Sequence, residues 1–172
     1  GEGGADTLYG NDGDDTLNGG NNNDLLYGGN GNDTLNGGND LDTMVGGSGD
    51  DTYIVNHIND VVTEISSGGT DLIQSSVSYT ASSDVENLTL TGSGNINATG
   101  NSLNNTLSGN NSNNTINGES GVDTLYGNDG DDTLNGGNNN DHLYGGNGND
   151  TLNGGNDLDT MVGLSLIHIS EP

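Results

Sequence analysis

Residues 28–36 read GGNGNDTLN, and this nine-residue unit decides the fold because it recurs in tandem around itself. With U for a large apolar residue, the unit is G-G-x-G-x-D-x-U-x. Gly stands at every ninth position from 1 to 46, and Asp recurs with the same period from 6 to 51. A short fixed period of this kind indicates a repeat architecture, in which each unit packs against its neighbours.

Each unit divides into a turn and a strand. Gly permits left-handed backbone conformations and Asn tolerates them, so the first six residues predict a sharp turn whose carbonyl oxygens face inward. The last three residues, such as Thr34-Leu35-Asn36, predict a minimal strand. Because side chains alternate along a strand, Leu35 is expected to point inward and its two neighbours outward.

Two units are predicted to make one coil of a right-handed parallel β-roll, because one three-residue strand cannot close a core alone. Successive coils would stack at roughly 4.8 Å, the spacing of paired strands. Equivalent turns then recur at every second unit, and the repeat aspartates sort into two columns. The first block gives Asp6, Asp24 and Asp42 in one column and Asp15, Asp33 and Asp51 in the other, and the second block gives Asp123, Asp141 and Asp159 opposite Asp132 and Asp150.

The second block is a near copy of the first. Residues 118–163 repeat residues 1–46 with three differences, at Gly3/Ser120, Ala5/Val122 and Leu25/His142. We therefore divide the chain into a first repeat block (1–54), a β-rich spacer that continues the solenoid (55–99), degenerate repeats (100–117) and a second repeat block (118–163).

The spacer is richer in Val, Ile and Thr than the blocks. Four runs in and beside it predict strands, at 52–55, 60–64, 70–75 and 86–90. In the degenerate repeats, Asn105 and Asn114 occupy the Asp positions. A neutral amide is a poorer metal ligand than a carboxylate, so these two turns are expected to stack through hydrogen bonds and not through metal.

The composition favours a small cation as the partner. The chain has 26 Asp and Glu, no Lys or Arg and no Cys, giving a formal charge of −26. Without cationic side chains it lacks the groups that bind nucleic-acid phosphates or anionic lipid, and no apolar run predicts membrane insertion. Carboxylate and carbonyl oxygens suit hard divalent ions such as Ca²⁺.

Calcium would also resolve the repulsion within the Asp columns, because carboxylates stacked at strand spacing repel each other strongly. Ca²⁺ takes 6–8 oxygens at about 2.3–2.6 Å. With about one apolar side chain per unit the core is thin, so the chain is predicted to be disordered without Ca²⁺ and folded with it. The predicted ligands are the carboxylates of Asp6, Asp15, Asp24, Asp33, Asp42, Asp51, Asp123, Asp132, Asp141, Asp150 and Asp159, with backbone carbonyls around Gly20, Gly29, Gly31, Gly38, Gly137, Gly146 and Gly148.

The tandem motif resembles the hemolysin-type (RTX) repeat proteins of bacteria, at both ends of the chain. The middle segment, with DDTYIVN, DVVTE and VENLTLTG, looks like the spacer that follows such repeats in large bacterial exoproteins. The resemblance implies calcium-triggered folding outside the cell and export by a type I secretion system. Such exporters usually read a C-terminal signal, and none is visible here.

The last nine residues, LSLIHISEP at 164–172, share no pattern with the rest of the chain. They resemble the conceptual translation of a transposon-based sequencing adapter, and we expect the natural gene to continue the repeat after Gly163. The alternative is a genuine terminal strand.

No residue constellation predicts catalysis. Nearly all carboxylates belong to the repeat, so no pair of them is unique, and the three His share no zinc-ligand spacing. The fragment is therefore expected to be a calcium-binding structural module and not an enzyme. Two alternatives concern the parent protein, which could be a secreted enzyme of the alginate epimerase, protease or lipase type, or an adhesin or toxin with a repeat stalk.

Overall fold

The chain forms an all-β solenoid in the computed structural model, which describes residues 1–163 and the backbone of 168–170. The predicted all-β parallel roll is thus confirmed. The strands are β1 (Thr7–Asp12), β2 (Thr16–Gly20), β3 (Leu25–Asn30), β4 (Thr34–Gly38), β5 (Thr43–Ser48), β6 (Thr52–Val55), β7 (Val61–Thr63), β8 (Leu72–Ser75), β9 (Tyr79–Thr80), β10 (Asn87–Leu90), β11 (Ala98–Thr99), β12 (Thr106–Ser108), β13 (Thr115–Ser120), β14 (Thr124–Asp129), β15 (Thr133–Asn138), β16 (His142–Asn147), β17 (Thr151–Gly155), β18 (Thr160–Val162) and β19 (His168–Ser170).

Consecutive strands lie alternately on two faces of the solenoid, and the strands of each face pair in parallel sheets. All even-numbered strands form one nine-stranded sheet, here called the even sheet. The odd-numbered strands form a four-stranded sheet from β1 to β7 and a six-stranded sheet from β9 to β19. Each coil therefore contributes one strand to either face, as predicted for two units per coil.

The register within the blocks confirms the predicted step of two units. Leu8 pairs with Leu26 and Leu26 with Met44 along the odd strands. Leu17 pairs with Leu35 on the even sheet. This register brings identical repeat positions side by side, so apolar residues stack on apolar residues and Asp on Asp.

The core is a single file of apolar side chains between the two faces. Its members at the U position of the repeat, or aligned with it, are Leu17, Leu26, Leu35, Met44, Tyr53, Val62, Ile73, Leu88, Ala98, Leu107, Ile116, Leu125, Leu134, Leu143 and Leu152, all of them buried. Leu8 and Met161 pack against its ends and are only partly buried. Leu25 in the first block and His142 in the second occupy the same position, next to the inward-pointing residue of the strand, and are expected to point outward. Leu25 is half-buried and His142 is exposed.

Most strands of the repeat blocks are longer than predicted. The minimal three-residue strand is wrong for these, because β4, for example, extends from Thr34 through Gly38, while β18 keeps three residues. The two glycines that open the next unit continue the ladder, and Gly20 pairs with Gly38. Backbones lacking side chains can approach closely here, so strand pairing runs into the turn.

The spacer keeps the phase of the solenoid with coils of unequal length. Thr52 pairs with Leu72, Leu72 with Asn87, and Asn87 with Thr106. Although the three steps differ in length, together they span as much chain as six repeat units, so the second block resumes in register. The four runs predicted as strands are confirmed as β6, β7, β8 and β10, while the two-residue strands β9 and β11 were missed.

The near-identical blocks lie on the solenoid with their faces exchanged. Their offset is thirteen units, an odd number, so a unit in β1 or β3 returns in β14 or β16 on the even sheet. Tyr9 stacks on Tyr27 on the odd face, with ring centroids 5.0 Å apart. The copies Tyr126 and Tyr144 stack at 5.1 Å on the opposite face. The duplicated blocks therefore place the same side chains on both faces of the solenoid.

The tail lies largely outside the described residues, at 164–167 and 171–172. The backbone of 168–170 forms β19 beside β17. The pairing of β19 with β17 does not show whether the codons of this segment are natural or come from an adapter, so the adapter origin stays a prediction. Among the described residues, no helix has the length and apolarity needed to span a membrane.

Candidate metal sites

Each buried repeat aspartate uses one carboxylate oxygen to join two coils. The Oδ1 atom accepts a hydrogen bond from the backbone N–H of the equivalent residue one coil earlier. Asp15 N–H donates to Asp33 Oδ1 at 2.8 Å, and Asp33 N–H donates to Asp51 Oδ1 at 2.7 Å. The pattern confirms the two columns, and it gives the aspartate a structural role that the sequence did not predict.

The other carboxylate oxygen, Oδ2, is buried without a hydrogen-bond partner. This holds among the described residues for Asp15, Asp24, Asp33, Asp42, Asp51, Asp71, Asp123, Asp132, Asp141 and Asp150. Nine of these belong to the eleven predicted ligands. Burying an anionic oxygen without a partner is costly, and the sequence contains no Lys or Arg that could serve as one. A row of such oxygens fits the ligand set of a hard cation.

A backbone carbonyl oxygen lies beside the Oδ2 atom at several repeat units. In the best copy, a Cβ placed on Gly28 would overlap Asp33 Oδ2 and stand 2.8 Å from the carbonyl oxygen of Gly46. The same arrangement surrounds Gly19, with Asp24 Oδ2 and the Gly37 carbonyl. At these units the first glycine therefore leaves open a pocket that is lined by a carboxylate and a backbone carbonyl. These first-position carbonyls were missed, although the period from Gly1 to Gly46 marks their positions.

The glycines predicted to supply carbonyls have the turn conformation expected of them. Gly20, Gly29, Gly31, Gly38, Gly137, Gly146 and Gly148 all have φ between +97° and +135°. Two of their carbonyls already accept backbone hydrogen bonds between coils, from Asn39 to Gly20 and from Asn156 to Gly137, both at 2.8 Å. Their role as ligands stays a prediction.

The ends of the columns differ from their middle. Asp6, Asp15 and Asp159 are only partly buried, whereas the repeat aspartates between them are buried. Asp150, the repeat aspartate before Asp159 in the sequence, is 2% exposed and its Oδ2 is enclosed like those of the central members.

The degenerate repeats replace the open oxygen with a satisfied amide. Asn105 Oδ1 accepts from Asn101 N–H at 2.8 Å, and its Nδ2 donates to two carbonyls of the preceding coil. Asn114 is bonded in the same manner, through Asn110 N–H and the Ile96 carbonyl. The expected stacking of these turns by hydrogen bonds is confirmed.

Two spacer carboxylates join the Asp columns but differ in chemistry. Asp60 Oδ1 accepts from Asp42 N–H, and its Oδ2 accepts from Asn56 and His57 N–H, so it is satisfied by the protein. Asp71 keeps an unpartnered buried Oδ2 and was missed as a candidate ligand. The signal was present, since GTDLI at 69–73 matches the G-x-D-x-U half of the unit.

Burial raises the pKa of several carboxyls in the two blocks and the spacer. Desolvation, reinforced by neighbouring carboxylates, raises the pKa of Asp51 to about 6 and that of Asp71 to about 7. In the second block it raises the pKa of Asp132 and of Asp141 to about 6. In each case a backbone hydrogen bond to the carboxylate opposes the shift without cancelling it.

These shifts predict that the metal-free fold weakens as pH rises. A raised pKa means that the folded state binds protons more strongly than the unfolded chain does, so its contribution to stability is present near pH 4 and lost between about pH 4 and 7. In EDTA, far-UV circular dichroism is expected to show more β-structure at pH 5 than at pH 7.5. Saturating Ca²⁺ should remove that difference, and a metal-free chain that is better ordered at pH 7.5 would contradict the shifts.

The sequence itself matches a known family. Four segments, 1–26, 19–53, 99–134 and 126–161, match the RTX calcium-binding nonapeptide repeat. Together they cover 1–53 and 99–161, well over half of the 172 residues. No curated protein matches the chain significantly. The matched segments contain all eleven predicted aspartates, and the chain therefore belongs to the RTX calcium-binding nonapeptide repeat family.

Proposed function

We propose that this calcium-binding repeat module folds only when Ca²⁺ enters its turns, and that it serves as a structural part of a secreted bacterial exoprotein. The observation that carries the proposal is the row of buried, unpartnered Oδ2 atoms beside first-position carbonyls. Bound Ca²⁺ would supply the positive charge that these oxygens lack. The chain's own residues provide the pockets, the cross-coil hydrogen bonds and the apolar file.

Export before folding follows from the expected affinity. Extracellular calcium modules bind with dissociation constants of about 10⁻⁴–10⁻³ M. At that affinity the sites stay empty in a cytosol with little free Ca²⁺, and the uncompensated carboxylates keep the chain unfolded and able to pass an exporter. The resemblance to type I substrates supports this route, which would use a C-terminal signal.

The substitution Asp33→Ala tests the ligand assignment. It removes both the open Oδ2 and the acceptor of the Asp15 N–H. Loss of the buried acceptor alone is expected to cost about 1–3 kcal/mol of folding free energy. In a Ca²⁺ titration followed by far-UV circular dichroism, the midpoint for folding should therefore rise.

The matched variant Asp33→Asn separates the two roles of Asp33. The Asn side chain keeps an acceptor oxygen for the Asp15 N–H but carries no charge. The shift of the Ca²⁺ midpoint that remains in this variant therefore measures the loss of the carboxylate as a calcium ligand. A titration that is unchanged for both variants would remove Asp33 from the ligand set.

The biological role of the module depends on the complete protein to which it belongs. We propose no catalytic activity for the fragment, since its carboxylates repeat without a distinct acid–base pair. A catalytic domain elsewhere in the complete gene would make the module an accessory of a secreted enzyme. Many further copies of the repeat block and its spacer, with a ligand-binding domain, would indicate an adhesin stalk. Sequencing of the complete gene distinguishes these.

A further inference from the structure

One pocket differs from all the repeat pockets, where the first block passes into the spacer. The first-position glycines Gly10, Gly28 and Gly46 follow one another along the odd face at every second unit. The next residue in that register is Glu64, because Val45 pairs with Thr63 in the ladder of β5 and β7. A carboxylate thus stands where the repeat has a glycine.

The Glu64 side chain turns into the solenoid. It is 8% exposed, and its Oε1 accepts a hydrogen bond from the hydroxyl of Tyr53, which is fully buried. Its Oε2 accepts from Gly47 N–H at 3.3 Å and from Ile65 N–H at 3.1 Å. The carboxylate is held in place by these three donors, none of which carries a positive charge.

Two further carboxylates meet Glu64 in the same pocket. One oxygen each from Asp51, Glu64 and Asp71 lies within 4.8 Å of the others, and all three residues are buried. Asp51 and Asp71 are 1% and 0% exposed. The Oδ1 atom of each is occupied by a backbone N–H, from Asp33 and Asp51 respectively, while the Oδ2 atom has no partner.

The pocket around Gly46 shows the effect of having Glu64 at the position where the repeat has a glycine. A Cβ on Gly28 would meet Asp33 Oδ2 and a backbone carbonyl, whereas a Cβ on Gly46 would meet Asp51 Oδ2, Glu64 Oε1 and the Tyr53 hydroxyl. A second anionic oxygen, from Glu64, thus joins the aspartate in the pocket at Gly46. The coil from Asp51 to Asp71 is longer than the repeat coil from Asp33 to Asp51, and its longer path brings Asp71 to the same point.

We propose that Asp51, Glu64 and Asp71 form a composite Ca²⁺ site, in which two carboxylates from outside the nonapeptide motif join a repeat aspartate, and that this site binds more tightly than the ordinary repeat sites and fastens the first block to the spacer. Three carboxylates in place of one raise the charge of the ligand set, and ligand charge tunes calcium affinity. Buried like charges at this separation require a cation to be stable together. The proposal rests on the calcium-driven folding proposed above.

The test is direct measurement of Ca²⁺ binding to the full chain by equilibrium dialysis with radiolabelled calcium, from far below the folding midpoint to saturation. Wild-type protein is expected to show a tight class of one ion ahead of the remaining sites. Glu64→Gln retains an acceptor for Tyr53 and removes one charge, so that class should weaken about tenfold or more. Glu119→Gln, at an exposed position, removes the same charge and should leave the class unchanged.

The outcomes separate this site from the repeat sites. An unchanged tight class in Glu64→Gln, with a shifted midpoint in Asp33→Ala, overturns the site and leaves the proposed function intact. Unchanged titrations in both variants overturn both. If Glu64→Gln does not fold in saturating Ca²⁺, a crystal structure of the wild-type chain grown in Ca²⁺ decides, with one ion bound by all three carboxylates expected and its absence there contradicting the proposal.

Discussion

Chelation of Ca²⁺ with EDTA at neutral pH is expected to abolish most of the β-structure of this chain, the largest effect predicted here. Within the described part of the chain, the folded state encloses ten carboxylate oxygens without partners, and the sequence supplies no Lys or Arg to compensate them. The apolar file contributes about one buried side chain per repeat unit, which is too little to offset their burial and the ordering of the backbone. Binding free energy is then folding free energy.

Far-UV circular dichroism during cycles of EDTA and Ca²⁺ measures this dependence. The β-signal should disappear and return reversibly. Mg²⁺ at the same concentration is the matched control and should restore little of the signal, because it demands near-ideal octahedral geometry and gives up its water reluctantly. A spectrum that is indifferent to EDTA at pH 7.5 would contradict calcium-driven folding.

The substitution Gly28→Ala is expected to disrupt a site as severely as loss of its aspartate. The added Cβ would overlap Asp33 Oδ2 and approach the Gly46 carbonyl at 2.8 Å, closer than Cβ contacts in proteins. Either the carboxylate leaves the pocket or the two coils separate. Overpacking of this kind costs about 1–3 kcal/mol, and the displaced ligand adds to it, so the Ca²⁺ midpoint should rise at least as far as in Asp33→Ala.

Gly3→Ala provides the control for that substitution. A Cβ at Gly3 meets nothing within 4 Å, so the same change of residue type is expected to leave the titration in place. Equal behaviour of the two variants would show that the first-position glycine has no steric role. A shift confined to Gly28→Ala would locate the requirement in the pocket itself.

The repeat chemistry made much of the site predictable. The period of nine placed the aspartates in two columns, and the cross-coil bonds between Asp15, Asp33 and Asp51 follow the predicted two-unit step. Asn105 and Asn114 were recognisable as exceptions because a neutral amide is a poorer calcium ligand than a carboxylate, and both side chains are hydrogen-bonded within the protein. These features depend on residue type and spacing, which the sequence displays.

Glu64 was not predictable as part of a site, because its position depends on how coils of unequal length stack. In the sequence it lies between Asp51 and Asp71, and it shares no motif with either of them. Only the pairing of β5 with β7, and the longer step from β6 to β8 on the even sheet, bring the three carboxylates together.

The sequence by itself determined the architecture, the two-unit register and the aspartate columns, because each is a consequence of local period and of strand alternation. Only the tertiary structure decided which atoms face one another. It assigned Oδ1 to the neighbouring coil and left Oδ2 open, it brought the first-position carbonyls beside that oxygen, and it exchanged the faces of the duplicated blocks. These outcomes depend on contacts between residues of different coils, where packing and not local propensity sets the position of each oxygen.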